Sequence, residues 1–179
     1  MERIRIQLPL TKEAARSLKA GDFCYLNGPM YVARDAAHAR MYACLEKNES
    51  LPVPIKGETV YYMGPSPARE GQVIGSAGPT TSSRMDRYTP ALIKEGLIGM
   101  VGKGRRSDEV KDAVREYGAV YFAAIGGGGA LLSKCIKASK IKAYGDLGAE
   151  ALRRIEVRDF PVVVAIDTDG NDIYDTVVS

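Results

Sequence analysis

Three short stretches set a cation beside small or hydroxyl residues where a strand runs out into a helix: Ala33-Arg34-Asp35, Thr80 to Arg84, and Lys103-Gly104-Arg105. That combination suits the binding of an anion. In open α/β sheets ligands gather where strands end and helices begin, so three such loops could converge on one pocket. The richest stretch is Gly78-Pro-Thr-Thr-Ser-Ser-Arg-Met-Asp-Arg-Tyr88. Gly78 and Pro79 make a turn, four hydroxyl residues follow, and Arg84 stands at the start of a segment with helical spacing. Ser and Thr ahead of a helix satisfy its free N–H groups, and those same groups favour an anion. An arginine in a first helical turn opposes the helix dipole. It is understandable if it faces an anionic ligand; the alternative is an ordinary capped helix with a solvated arginine.

The remaining candidates carry plainer alternatives. Arg34 has Asp35 and Glu58 as possible partners, or solvent. His38 is the only histidine and shares a helix face with Arg34, but a metal site needs further ligands. Lys103 lies between two glycines, which let a backbone approach a ligand closely and equally fit a flexible loop. The run Gly126 to Gly129 lacks the GxxxxGK[ST] pattern of a phosphate cradle and reads better as a close strand–helix turn. No Ser-His-Asp arrangement and no carboxylate pair stands out. What remains is half a site: cations and hydroxyls without metal ligands.

The 179 residues predict one domain. Lys and Arg exceed Asp and Glu by 25 to 22 with the signs mixed, which argues against a nucleic-acid surface. Apolar runs such as Phe160 to Ile166 are too short to span a membrane. The N-terminus begins charged, unlike a signal peptide. Cys24, Cys44 and Cys135 are widely spaced and form neither a disulfide framework nor a CxxC pair, so a reducing cytoplasm is expected.

The elements that must position these residues follow from periodicity. Arg3 to Leu8 alternates as a half-buried strand; Thr11 caps a short helix; Phe23 to Leu26 is a strand stopped by turn chemistry at Asn27 to Met30. Arg34 to Lys47 is an amphipathic helix. Thr59 to Met63, Gln72 to Gly75, Leu97 to Val101 and Ala119 to Ile125 read as strands. A helix runs from the hydroxyl run to about Lys94, and another lies between a Ser107 cap and Gly118. Ile136 to Tyr144 and Val157 to Ile166 are strand candidates around a helix at Leu147 to Arg153. Asp169 to Asp172 is a hairpin turn signal, with a last strand from Ile173 to Val178. The pattern predicts an α/β fold with a mixed sheet, or two small sheets, and flanking helices.

Ala33-Arg-Asp-Ala-Ala-His38, Gly78-Pro-Thr-Thr-x-x-Arg-Met-Asp86, Gly102-Lys-Gly-x-Arg-Ser107, Ala124-Ile-Gly-Gly-Gly127 and the tail Phe160-Pro … Ile166-Asp … Gly170-Asn-Asp-Ile-Tyr174 occur in order along nearly the whole chain. Together they resemble the β subunit of class I, iron–sulfur-dependent fumarate hydratase, a pattern shared with the β subunit of L(+)-tartrate dehydratase. The resemblance implies a swivelling β/β/α domain over residues 1–179. It also implies a partner α subunit in a hetero-oligomer that binds a [4Fe-4S] cluster through its own cysteines, the open iron acting as Lewis acid on the substrate. This chain would close over a small dicarboxylate at the subunit interface. By the same resemblance Thr80 is the expected proton-transfer residue, and Arg34, Thr81, Arg84 and Lys103 the expected substrate-binding residues. Charge building on a carboxylate as a neighbouring proton leaves is held better by a bidentate arginine than by lysine. Ser82-Ser83 stands where many relatives have Ala-Gly, which adds hydroxyls near the expected substrate and leaves the tartrate reading open.

Overall fold

The structure, a computed structural model, describes residues 3–125 and 128–175. The chain runs β1 (Arg3–Gln7), α1 (Lys12–Ser17), β2 (Phe23–Val32), α2 (Asp35–Glu46), β3 (Thr59–Tyr61), α3 (Thr89–Lys94), β4 (Gly99–Gly102), α4 (Asp108–Tyr117), β5 (Val120–Ala124), α5 (Gly129–Ser133), β6 (Ile136–Ala143) and β7 (Leu152–Ile166). Two 3₁₀ turns, Ser82–Met85 and Gly145–Glu150, precede α3 and β7. It is a mixed α/β fold.

One sheet, not two, carries the strands in the order β1-β2-β3-β4-β5-β7-β6. β2 through β5 are parallel, and the long β7 returns antiparallel to β5, β6 and also β2. The last pairing closes β2-β3-β4-β5-β7 into a barrel-like ring. Period-two alternation then sorts each strand between two cores. Met30, Val32, Tyr61, Val101, Phe122, Val162 and Val164 fill the ring. Their neighbours Tyr31, Val60, Tyr62, Met100, Tyr121 and Ala165 face outward, against Ala37 and Met41 of α2, Leu92 of α3 and Val110 and Val114 of α4.

Local chemistry explains several boundaries. The Thr11 hydroxyl accepts from the Ala14 amide to start α1. Ser107 does the same for Val110 in α4, which ends at a left-handed Gly118. Four expectations fail for identifiable reasons. β2 runs straight through Asn27-Gly28-Pro29, because pairing with both β1 and β7 outweighs the turn residues, which become an irregularity between Leu26 and Gly28. Gln72 to Gly75 forms no strand: the segment is held by bonds from Ser66 N to Ser76 O and from Ala77 N to Gly129 O. The helix expected up to Lys94 is broken after Met85, and Pro90 opens a new one as α3. The helix expected at Leu147 to Arg153 is a 3₁₀ turn kinked at Gly148, since Leu152 to Val157 belongs to β7, paired with β6 and β2 together. The hairpin turn at Asp169 to Asp172 is present, with Ile166 bridged to Asp172, and Ile173 to Asp175 continues in turn conformation. The rest of the expected last strand, and Gly126 and Gly127, lie outside the described residues.

Candidate functional site at the carboxyl ends of the parallel strands

Arg34 stands two residues past β2 and occupies the N-cap position of α2 without a side-chain cap of its own. Its backbone is pinned twice: the His38 amide and His38 Nδ1 lie 3.0 and 2.9 Å from the Arg34 carbonyl. A carbonyl only accepts, so Nδ1 carries a proton, and the imidazole is fully buried. Burial holds its pKa down to about 4. This makes His38 an anchor for Arg34, with Tyr62 and Tyr88 rings around it. The Arg34 guanidinium lies across Gly64, just beyond β3, where any Cβ would overlap it. Its ion-pair partner is Glu150, with Nε 3.4 Å from Oε1, and the same oxygen accepts from the Ala36 amide at 3.3 Å. Neither expected partner serves: Asp35 is paired with Arg84, and Glu58 with Arg154.

The hydroxyl run comes back to the same sheet edge. The Thr80 amide donates to the Tyr62 carbonyl, one residue past β3, at 2.8 Å. Thr81 forms a parallel bridge with Lys103, one residue past β4. The Ser82 amide donates to the Lys103 carbonyl at 2.9 Å, and the Lys103 amide donates to Ser82 Oγ at 2.9 Å. Glycine is required opposite, because a Cβ on Gly102 would overlap Ser82 Oγ and approach Tyr62 Cδ2 to 2.8 Å.

Two local expectations are therefore corrected. No hydroxyl of Thr81 caps the turn that follows; the buried Ser82 hydroxyl instead holds the Lys103 backbone. Ser82 thus adds no hydroxyl to the exposed face, whereas Ser83 is exposed. Arg84 already faces a carboxylate, that of Asp35, at 2.6 Å. Lys103 stands on a loop tied at both ends of its peptide, with its side chain exposed. Arg34, Thr80, Thr81, Arg84 and Lys103 thus come from three chain segments to the carboxyl ends of β2, β3 and β4. Thr81, Arg84 and Lys103 are exposed and Arg34 and Thr80 half-buried. An open cavity of about 660 Å³ near Leu45, Pro52 and Glu95 is lined by none of them.

Beneath this face lies a polar layer that sequence reasoning did not single out. The Arg106 side chain is fully buried. Its Nε donates to Asp86 Oδ1 at 2.6 Å, and Nη2 lies 3.1 Å from the Tyr62 hydroxyl and 3.0 Å from Thr89 Oγ1. Burial works against its charge, but the Tyr62, Asp86 and Tyr121 oxygens outweigh it and keep the guanidinium pKa above the ordinary value. Asp35, Asp86 and Arg106 stand in the quoted motifs; Tyr62, Tyr121 and Glu150 gave no signal, since only the fold brings them here.

The chain's thiols do not fit an iron–sulfur cluster. Cys24 is buried among the ring's apolar residues, and burial, with Asp22 nearby, pushes its thiol up to about 12. A cluster ligand must be a thiolate. Among the described residues no three His, Cys, Asp or Glu gather to hold a metal ion, and no helix is long and apolar enough to cross a membrane.

Comparison with known proteins accounts for the conjunction. A family model described as the fumarase C-terminus matches residues 1–177. The chain is 42% identical over 156 residues to "Fumarate hydratase class I, aerobic" of Salmonella typhimurium, which covers 86% of this chain and 27% of that protein. It is likewise 42% identical over 151 residues to "Fumarate hydratase 2" of Leishmania major, 83% of this chain and 27% of the relative. The chain thus spans little more than a quarter of these fumarate hydratases. Against "Putative L(+)-tartrate dehydratase subunit beta" of Methanocaldococcus jannaschii it is 40% identical over 174 residues, 94% of this chain and 89% of the relative. With a match along almost its full length, and motif residues gathered at one sheet edge, the chain belongs to the fumarase C-terminus family.

Proposed function

We propose that this chain is a single-domain β subunit of a [4Fe-4S]-dependent hydro-lyase, acting in the cytoplasm on a small dicarboxylate and interconverting fumarate and (S)-malate. The cluster is assigned to an α subunit. The observation that carries the reading is the convergence of Arg34, Thr80, Thr81 and Lys103 on one exposed sheet edge, in a chain that matches about a quarter of the fumarate hydratases. An exposed cationic face suits a domain that swivels over a substrate held by another polypeptide.

In this reading the chain's own residues bind and orient carboxylates and handle the proton at carbon. Deprotonation beside a carboxylate shifts charge onto its oxygens, where the Arg34 fork and the Lys103 ammonium stabilise it. Thr80 gives or takes the proton. A threonine hydroxyl is a weak base without an activating neighbour. Activation would come from the substrate or the α subunit, or Thr80 relays the proton onward.

A second reading, the β subunit of an L(+)-tartrate dehydratase forming oxaloacetate, is favoured by the 89% coverage of the Methanocaldococcus relative. Anaerobic co-expression with an α subunit, followed by assays of malate, fumarate and L(+)-tartrate, separates the two. Under either reading Lys103→Ala and Arg34→Ala lower kcat/KM by about a hundredfold or more. Retention of activity within about threefold in either variant removes the site assignment.

A further inference from the structure

The buried pair Arg106–Asp86 is more elaborate than stability requires. Taking a guanidinium and a carboxylate out of water costs desolvation energy that apolar residues of the same shape avoid. Besides its bonds to Thr89 and Met100, the pair makes contacts that lead to the segments bearing candidate site residues. Asp86, on the segment of Thr80, Thr81 and Arg84, accepts Arg106 Nε on one oxygen and the Ser107 amide, at 2.7 Å, on the other. Arg106 lies three residues beyond Lys103, and its guanidinium carbon is 5.1 Å from the Tyr62 ring centre and 4.7 Å from that of Tyr121. Tyr62 holds the Thr80 amide through its carbonyl. The Tyr121 oxygen lies 2.7 Å from Ser82 Oγ and 2.8 Å from the Gly104 carbonyl. A carbonyl cannot donate, so the tyrosine proton serves Gly104 and the Ser82 proton serves Tyr121. That leaves Ser82 Oγ free to accept the Lys103 amide.

We infer that Arg106, held by Asp86 and seated between Tyr62 and Tyr121, is a positioning residue that fixes the register between the Thr80–Arg84 segment and Lys103. The inference rests on the function proposed above. Arg106 touches no substrate: it sets where the Thr80 hydroxyl and the Lys103 ammonium stand relative to each other. In catalysis a displacement on the order of 1 Å costs about a hundredfold.

The test uses the full chain assembled with its α subunit. Arg106→Met combined with Asp86→Asn removes both charges while Asn keeps an acceptor for the Ser107 amide. The expected result is a fall in kcat of about thirtyfold or more with KM within about threefold, because misplaced groups fail in the transition state more than in the ground state. Hydrogen exchange supplies the readout independent of activity: the Ser82 and Lys103 amides lose protection while the Val101 and Phe122 amides of β4 and β5 keep theirs. Arg106→Lys, which keeps charge but not the fork, does not restore kcat. A kcat within about threefold of the parent overturns the inference, as does unaltered protection at Ser82 and Lys103. Should the double variant lose protection throughout, Tyr121→Phe decides: the same split supports the inference, and an unchanged kcat overturns it. Lys103→Ala separates the two levels. If that variant stays active, the proposed function fails; if it is inactive while the Arg106 variants are not, only the positioning role fails.

Discussion

The Arg84 guanidinium donates through both Nε and Nη2, at 3.0 and 2.6 Å, to a single oxygen of Asp35. The pair joins the 3₁₀ turn that ends the hydroxyl run to the first residue of α2, and so ties Arg84 to the segment that carries Arg34. If Arg84 receives a substrate carboxylate, Asp35 is a tethered competitor for it. Half-exposed pairs of this kind are weak because water screens them, so the competition is modest. Asp35→Asn is therefore expected to lower KM for the dicarboxylate by about two- to fivefold, in steady-state assays of the assembled enzyme. A raised KM would mean that Asp35 orients Arg84 instead of competing for it.

Gly64 gives a test of Arg34 that leaves the arginine in place. A methyl group there would overlap the guanidinium, and Gly64 has no left-handed φ to lose. The clash is with the far end of a flexible side chain, so the arginine can swing away without disturbing the fold. Gly64→Ala is expected to cut kcat/KM by about tenfold or more, approaching the loss of a preorganised donor. Thermal unfolding should show a Tm equal to the parent's or slightly higher, since alanine restricts the unfolded chain. A lowered Tm with unchanged kcat/KM would separate Gly64 from Arg34.

Much of this was legible from local pattern. The Ser107 cap, the left-handed Gly118 and the alternation of β1 are short-range chemistry, and sequence exposes that well. Ring closure was not legible, because Phe23 pairs with Val163 and nothing local announces a partner so distant. That one pairing also explains why Asn27-Gly28-Pro29 stays in a strand and why Leu152 to Val157 is extended. At the candidate site, the cations and hydroxyls stood out as residue types. Their partners did not: Glu150 reaches Arg34 across more than a hundred residues, and Ser82 looked like a cap until the fold turned its hydroxyl toward Tyr121.

Gly102 bears on that turn directly. A Cβ there meets two buried groups, the Ser82 hydroxyl and the Tyr62 ring, neither free to move. Gly102→Ala is expected to destabilise the chain by about 1–3 kcal/mol, the cost of overpacking a filled site, read as a lower denaturant midpoint with an unchanged m-value. Combining it with Ser82→Ala should recover part of that loss, because the hydroxyl nearest the new methyl is gone. If the double variant is no more stable than Gly102→Ala alone, contact with Tyr62 carries the whole penalty.

The single histidine supplies a pH signature. His38 is fully buried, with Nδ1 donating to the Arg34 carbonyl and Nε2 lacking a partner among the described residues. Burial lowers its pKa from 6.5 to about 4. Above pH 6.5 both folded and unfolded chains hold the imidazole neutral, and the stability is fully present. As the pH drops below 6.5 the unfolded chain takes up a proton that the folded chain refuses until about pH 4, so stability declines across that window and levels off beneath it. Linkage puts the loss between pH 7 and pH 5 at about 2 kcal/mol. Carboxylates titrate mostly below this range, and no second histidine contributes. Denaturant unfolding at pH 7, 6 and 5 should show the decline in the parent and a much flatter profile in His38→Leu, whatever that variant's stability at pH 7. Parallel slopes in the two proteins would mean that another group drives the dependence, and that His38 is not held neutral in the folded chain.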